Sequence, residues 1–312
     1  VRKEKSVVLL PEVNPLLKIT VYLAVVLLIG VVVSPPAYWL CQWLIELGWL
    51  EIIRGFPFHR YFSRTIQVAG LVLLVPLVFW LRIRKLSELG IEPNPLRWKD
   101  LSVGFLLAFG PMMILAAGYL VVGIYKWQED PNWWNLFRIL GTAGAVSVLE
   151  EIFFRGVLLG LAVRSFGTMP GVAFSSIVFA VIHFMRPARI DDGSPVTWTS
   201  GLEQLGMLAG GAPPMPVLAY GMVTLLLVGV LLAWVTLHTR SLWLAIGLHA
   251  GWILGQQGFL MAAKSRIKPP DEFLPWVGPN VVSGAVPTGL IPLVILCLTG
   301  FFLWLWLRQR SV

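Results

Sequence analysis

Adjacent carboxylates in an apolar stretch need a chemical reason. Glu150 and Glu151 lie side by side within residues 146–163, and Arg155 follows the second glutamate by four residues. An ionisable residue at mid-bilayer depth costs roughly 2.5 to 3.5 kcal/mol on insertion scales, so three in one segment mark a functional site by default. Glu151 and Arg155 share a helical face with the acid N-terminal, the favoured order for an intrahelical ion pair. Glu150 is turned about 100° from Glu151 by the helix pitch and is left to face another partner. A carboxylate outside that pair suits a general base that takes a proton and later returns it. The alternative is a structural charge cluster that holds helices together.

Two histidines extend the chemistry. His183 lies near the C-terminal end of an apolar segment, in Phe179-Ala180-Val181-Ile182-His183-Phe184, and His249 sits among the small residues Gly247, Ala250 and Gly251. Small residues let a neighbouring helix approach closely, and a buried histidine in such a place also serves simply to bridge two helices. One carboxylate and two histidines on three helices can converge on a single water molecule. The same trio, Glu150, His183 and His249, would make a three-ligand zinc site, but the chain has no His-Glu-x-x-His motif. On the residues alone, water activation without a metal and a zinc site both stay open. His59 and His238 sit in a link and at a segment end, where a cation suits a helix C-terminus.

The elements that must position these residues are membrane spans. Of the 312 residues 57% are hydrophobic and 13% charged, and the mean hydropathy is +0.79, a composition whose solvent is lipid. Apolar runs recur at the length that crosses a hydrocarbon core of about 30 Å. They predict an all-α, polytopic membrane protein of about eight transmembrane helices, at 17–33, 66–83, 102–125, 139–164, 169–185, 216–238, 242–262 and 287–307, enclosing an intramembrane polar site. The whole chain, 1–312, reads as one integral membrane domain. The stretch 38–50, with Tyr38, Trp39, Trp43 and Trp49, suits an interfacial helix.

Charge and sulfur exclude other classes. The net charge of +8 is spread over short links rather than gathered in a basic block, which argues topology and not nucleic acid. Cys41 and Cys297 lie near opposite ends of the chain, so neither a disulfide framework nor a cysteine metal site is implied. The basic residues 1–6 run into an apolar stretch too long for a secretory signal, and it is read as the first span. The distribution of Lys and Arg favours both termini in the cytoplasm.

Taken in order, the motifs resemble a family. Glu-Glu-x-x-x-Arg at 150–155, Phe-x-x-x-His at 179–183 and Leu-His-Ala-Gly-Trp at 248–252 resemble the CAAX protease and bacteriocin-processing family, also called the abortive-infection family, which includes the type II CAAX prenyl endopeptidases. The resemblance covers about 143–254. It implies an intramembrane endopeptidase, in the cell membrane of a bacterium, acting on a peptide or protein presented at the membrane. Glu150 and His183 would activate water without a metal or other cofactor, zinc being the alternative, Glu151 and Arg155 would support the site together with Phe179, and His249 would help hold the oxyanion. One departure matters: the family commonly has Asn four residues after this histidine, where Ile253 stands and offers no donor. Gln256, seven residues after His249 and on nearly the same face, is a substitute donor or else merely bonds to another helix. Against proteolysis stand two rivals, a non-catalytic scaffold for a membrane protein partner, and a transporter relaying protons through Glu150, for which no repeat symmetry is visible.

Overall fold

The computed structural model describes residues 14–89, 92–185, 187–188, 194–266, 272–279 and 287–310. The basic residues 1–6 and part of the Gly- and Pro-rich link 186–216 lie outside the described residues. The described chain is helical, apart from two short strands. In order it holds α1 (Pro15–Glu46), α2 (Phe58–Trp80), α3 (Arg97–Val121), β1 (Tyr125–Trp127), α4 (Asn135–Glu151), a π-helical segment (Ile152–Leu158) and α5 (Leu159–Phe166). There follow α6 (Thr168–Phe184), α7 (Ser200–Gly206), α8 (Met215–Thr239), α9 (Trp243–Ala262), β2 (Ala263–Ser265) and α10 (Leu290–Arg310). Contacts divide them into two compact units, one with α1, α2 and α7, the other with the remaining elements.

Among the described residues five helices are long and apolar enough to cross a membrane: Leu17–Glu46, Phe58–Trp80, Arg97–Val121, Met215–Thr239 and Leu290–Gln309; α6 is apolar but shorter. The chain is a polytopic helical membrane protein, and length and composition alone do not establish the eight spans expected. The shortfall has a physical pattern. Of the other expected spans, 139–164 is split between α4, the π segment and α5 and carries Glu150, Glu151 and Arg155, while α9 carries His249, Gln256 and Gln257. The polar residues lower the apolarity where the site lies.

Lipid, not water, explains the surfaces. On α2, Val68, Val72, Val75 and Phe79 form a stripe at helical spacing that is 59 to 74% exposed, a patch that a soluble protein would bury. Four threonine hydroxyls within the spans are satisfied locally: Thr224, Thr236, Thr239 and Thr299 each donate to the carbonyl four residues back, at 2.7–3.1 Å. Such bonds answer the cost of an unpaired polar group in hydrocarbon.

The interfacial stretch expected at 38–50 is not separate. α1 continues through Pro35 and Pro36 to Glu46, and a 3₁₀ turn, Glu51–Ile53, follows it. Proline removes one donor and crowds one carbonyl, which weakens a helix without ending it where lipid makes any other backbone state costlier. In the same unit Tyr22 donates to the Gly70 carbonyl at 2.7 Å and Lys18 to the Trp80 carbonyl at 2.8 Å, tying α1 to α2.

In the second unit α3 and α9 run together at backbone contact. A Cβ on Gly104 would meet the Leu244 carbonyl, one on Gly247 the Leu101 carbonyl, one on Gly251 the Phe105 carbonyl at 2.6 Å, and one on Gly255 the Met112 side chain at 3.0 Å. Small residues four apart are what membrane helices use to approach this closely. The far ends are pinned by antiparallel pairing of β1 with β2, Tyr125 opposite Ser265. Gln128 adds a side-chain cap, donating to the carbonyls of Leu260 at 3.2 Å and Met261 at 2.9 Å at the end of α9.

Candidate active site

Four elements carry the polar residues: the end of α4, the π segment, α6 and α9. The run from α4 to α5 is continuous but not uniform, because from Ile152 to Leu158 it widens to π geometry. The Leu159 amide donates to the Phe154 carbonyl, five residues back. Gly167 then joins α5 to α6 in a single residue at φ 85°, a conformation that favours glycine. Gly171 lets α6 lie against α5, since a Cβ there would stand 2.7 Å from the Val163 amide nitrogen. This tight reversal sets His183 of α6 beside the end of α4.

Glu150 is the hub. Its Oε2 is buried, makes no hydrogen bond, and lies 3.5 Å from His183 Nε2 and 3.9 Å from His249 Nε2. The outer nitrogen of each ring is already engaged. His183 Nδ1 is 2.7 Å from the Phe179 carbonyl, and His249 Nδ1 is 2.7 Å from Glu151 Oε1. An oxygen acceptor at Nδ1 fixes the proton there, so both rings turn Nε2 toward Glu150. On His183 a neutral ring presents a lone pair beside the carboxylate. On His249, held between two carboxylates, a second proton would turn Nε2 into a donor.

Glu151 has a different role from its neighbour. It is fully buried and its Oε1 accepts from both Arg155 Nη1, at 3.2 Å, and His249 Nδ1. The pair with Arg155 expected from the spacing is present, although the intervening turn is π and not α. The Glu151–His249 bond was not anticipated, because nothing in a sequence says which of two adjacent carboxylates a residue 98 positions later will meet. Arg155 lies 4.3 Å over the Phe179 ring and 5.7 Å from that of Phe154, and Phe179 in turn packs at a tilt against His183 with ring centroids 4.3 Å apart. Phe179 is therefore packed between the guanidinium and the imidazole, an arrangement that favours the cation.

Gln256 and Ile253 are both buried on α9, at 2% exposure, beyond His249. The structure thus brings together Glu150, Glu151, Arg155, Phe179, His183 and His249; it places Gln256 on the same helix as His249, two turns on. The residues that would hold a metal are Glu150, His183 and His249, through the two Nε2 atoms. Among the described residues no group of three or more His, Cys, Asp and Glu is arranged to hold one. A cavity of about 520 Å³ opens between α3, α4 and α9, lined by apolar atoms of Phe105, Val148, Ile246, Gly247 and Ala250 among others and by no residue of the cluster.

Residues 132–254 match the family model described as Rce1-like, type II CAAX prenyl endopeptidase Rce1-like. The match supports the CAAX protease resemblance. It takes in Glu150, Glu151, Arg155, Phe179, His183, His249 and Ile253 and stops before Gln256. No curated protein matches the chain, and no solved structure does.

Proposed function

We propose that the chain is an intramembrane endopeptidase of the CAAX type, hydrolysing a peptide bond in a membrane-presented peptide or protein with a water activated by Glu150 and His183. The observation that carries this reading is the convergence of two histidine Nε2 atoms on one unbonded glutamate oxygen, each ring fixed by an acceptor at its other nitrogen. Glu150 Oε2 and His183 Nε2, 3.5 Å apart, are both acceptors, and a water placed against them donates an O–H to either. As the water oxygen bonds to the carbonyl carbon, Glu150 takes its proton and the carbonyl oxygen becomes an oxyanion. His249 in its imidazolium form, with Nδ1–H held by Glu151, donates from Nε2–H to that oxygen. Collapse breaks the C–N bond, and the proton on Glu150 passes to the leaving nitrogen, giving an amine and a carboxylic acid. A preorganised donor of this kind is worth about 3 to 4 kcal/mol in the transition state. Catalysis needs no metal in this scheme, all eight predicted helices cross the cell membrane of a bacterium, and both termini are cytoplasmic.

A second reading rests on Ile253. Where the family has a donor this position is apolar and buried, which favours a scaffold that binds a membrane protein partner without cleaving it. One experiment separates the two. Purified wild-type protein should cleave members of a membrane-peptide library, keep doing so after dialysis against a strong chelator, and lose cleavage on Glu150→Gln with folding intact. Full turnover in Glu150→Gln, or activity restored only by stoichiometric zinc, would refute the mechanism. No cleavage by wild type, with partner binding that survives Glu150→Gln, would establish the scaffold.

A further inference from the structure

The hydroxyl of Ser175 bonds differently from the threonine hydroxyls described above. Thr224, Thr236, Thr239 and Thr299 donate to the carbonyl four residues back in their own helix, the ordinary recourse of a hydroxyl in lipid. Ser175, buried at 2% on α6, donates across to the Phe154 carbonyl at 3.3 Å, and a serine has one proton to give. That carbonyl is the one that also accepts from Leu159 five residues on, so it is the acceptor of the bond that closes the π segment at its C-terminal end.

The position of Ser175 on α6 gives the bond its meaning. Ser175, Phe179 and His183 are spaced four apart and lie on one face. That face meets the α4–π run in three tiers. Ser175 holds the Phe154 carbonyl, Phe179 meets Phe154 edge to face and lies under Arg155, and His183 faces Glu150. A π turn inserts about one residue into the helical count, and returning it to α geometry would rotate the downstream helix by about 100° relative to α4. Arg155 lies inside the segment and would leave Glu151 and Phe179.

We infer that Ser175 is a positioning residue, whose bond to the Phe154 carbonyl locks the π turn in register with α6 and so holds Glu150 against His183 and Arg155 against Glu151. Its catalytic consequence rests on the endopeptidase reading above; its structural consequence does not.

The test compares Ser175→Ala, Ser175→Thr and Thr236→Ala in the full chain in nanodiscs. Cleavage of the library peptide that wild type cuts best is read as kcat and KM. In the same samples, without peptide, amide hydrogen exchange is read at Leu159 and ¹⁵N NMR at the His183 ring. Ser175→Ala should lower kcat about tenfold, since small misplacements of reacting groups are costly, with KM within about twofold. It should also speed exchange at Leu159 and shift the His183 signals. Ser175→Thr keeps the hydroxyl and should restore all of these. Thr236→Ala removes an equally buried hydroxyl bonded within its own helix and should move none. Unchanged Leu159 exchange and His183 signals in Ser175→Ala would overturn the inference, whether or not the protein cleaves anything. Equal effects from Thr236→Ala would overturn it too. Absence of cleavage by wild type, or full activity in Glu150→Gln, would instead sink the endopeptidase reading, and the exchange and NMR readouts would still decide Ser175.

Discussion

Glu150 and Glu151 are one residue apart and keep different company. Glu151 is committed twice, to Arg155 and to His249, and is sealed from solvent; Glu150 is 30% exposed along its side chain and holds an oxygen free of hydrogen bonds. Breaking a buried pair by deleting one partner costs about 3 to 5 kcal/mol, because the other charge is left stranded. Arg155→Ala should therefore lower thermal stability in detergent clearly more than Glu150→Gln, and circular-dichroism melting will show the order. Arg155→Lys should not recover it, since an ammonium lacks the planar face that stacks on Phe179. If Glu150→Gln proves the more damaging to stability, the division of labour between the glutamates is reversed. The oxyanion donor is tested separately. Should Gln256 substitute for the missing asparagine, Gln256→Leu costs about 10²-fold in kcat, and Ile253→Asn raises the rate or rescues it. No effect of either leaves His249 as the donor by itself. Which residues are candidates for chemistry was legible here because charges and histidines are rare in an apolar chain. Which atoms they bond was not, because the Glu151–His249 contact depends on how three helices pack.

At the scale of elements, the sequence disclosed helices and concealed their irregularity. Periodicity places a helix over 139–164 but does not reveal a π turn, since one extra residue per turn changes neither hydrophobic composition nor length; Gly156, within the segment, is at most a hint. The close approach of α9 to another helix was readable from Gly247 and Gly251, whereas its partner, α3, was not, because Gly104 has no sequence mark that sets it apart. This packing carries His249, so it is open to a direct test. Gly251→Val puts a branched side chain where a Cβ already stands 2.6 Å from the Phe105 carbonyl, and the two backbones must part. It should reduce both melting temperature and cleavage strongly. Gly258→Ala, on the same helix but with nothing within 4 Å of its would-be Cβ, should be neutral in both assays. Equal tolerance of the two substitutions would mean that α9 does not depend on α3 for its place.

For the whole molecule the open quantity is how many times the chain crosses the bilayer, and the site itself bears on it. Five helices satisfy length and apolarity outright, and an odd number of crossings would put the two termini on opposite sides. The helices outside that set include the ones with the polar cluster. α9 has 20 residues and spans about 30 Å at 1.5 Å per residue, matching the hydrocarbon core. Its deficit of apolarity comes from His249, Gln256 and Gln257. Likewise the run from α4 through α5 is interrupted by charges, yet Glu151 and Arg155 pair with each other, and paired charges facing a protein interior are the form in which membranes tolerate them. A helix that keeps its polar groups inside a bundle crosses despite a low average. We propose on this ground that α4–α5, α6 and α9 cross as well as the five, which makes eight crossings and puts both termini on one side. The check is to replace Cys41 and Cys297 by serine and introduce single cysteines at Asn14 and Gln309 in turn. Intact cells are then treated with a membrane-impermeant maleimide. Both positions should stay unlabelled until the membrane is opened, whereas labelling of one terminus but not the other would leave an odd number of crossings and withdraw at least one site-bearing helix from the bilayer.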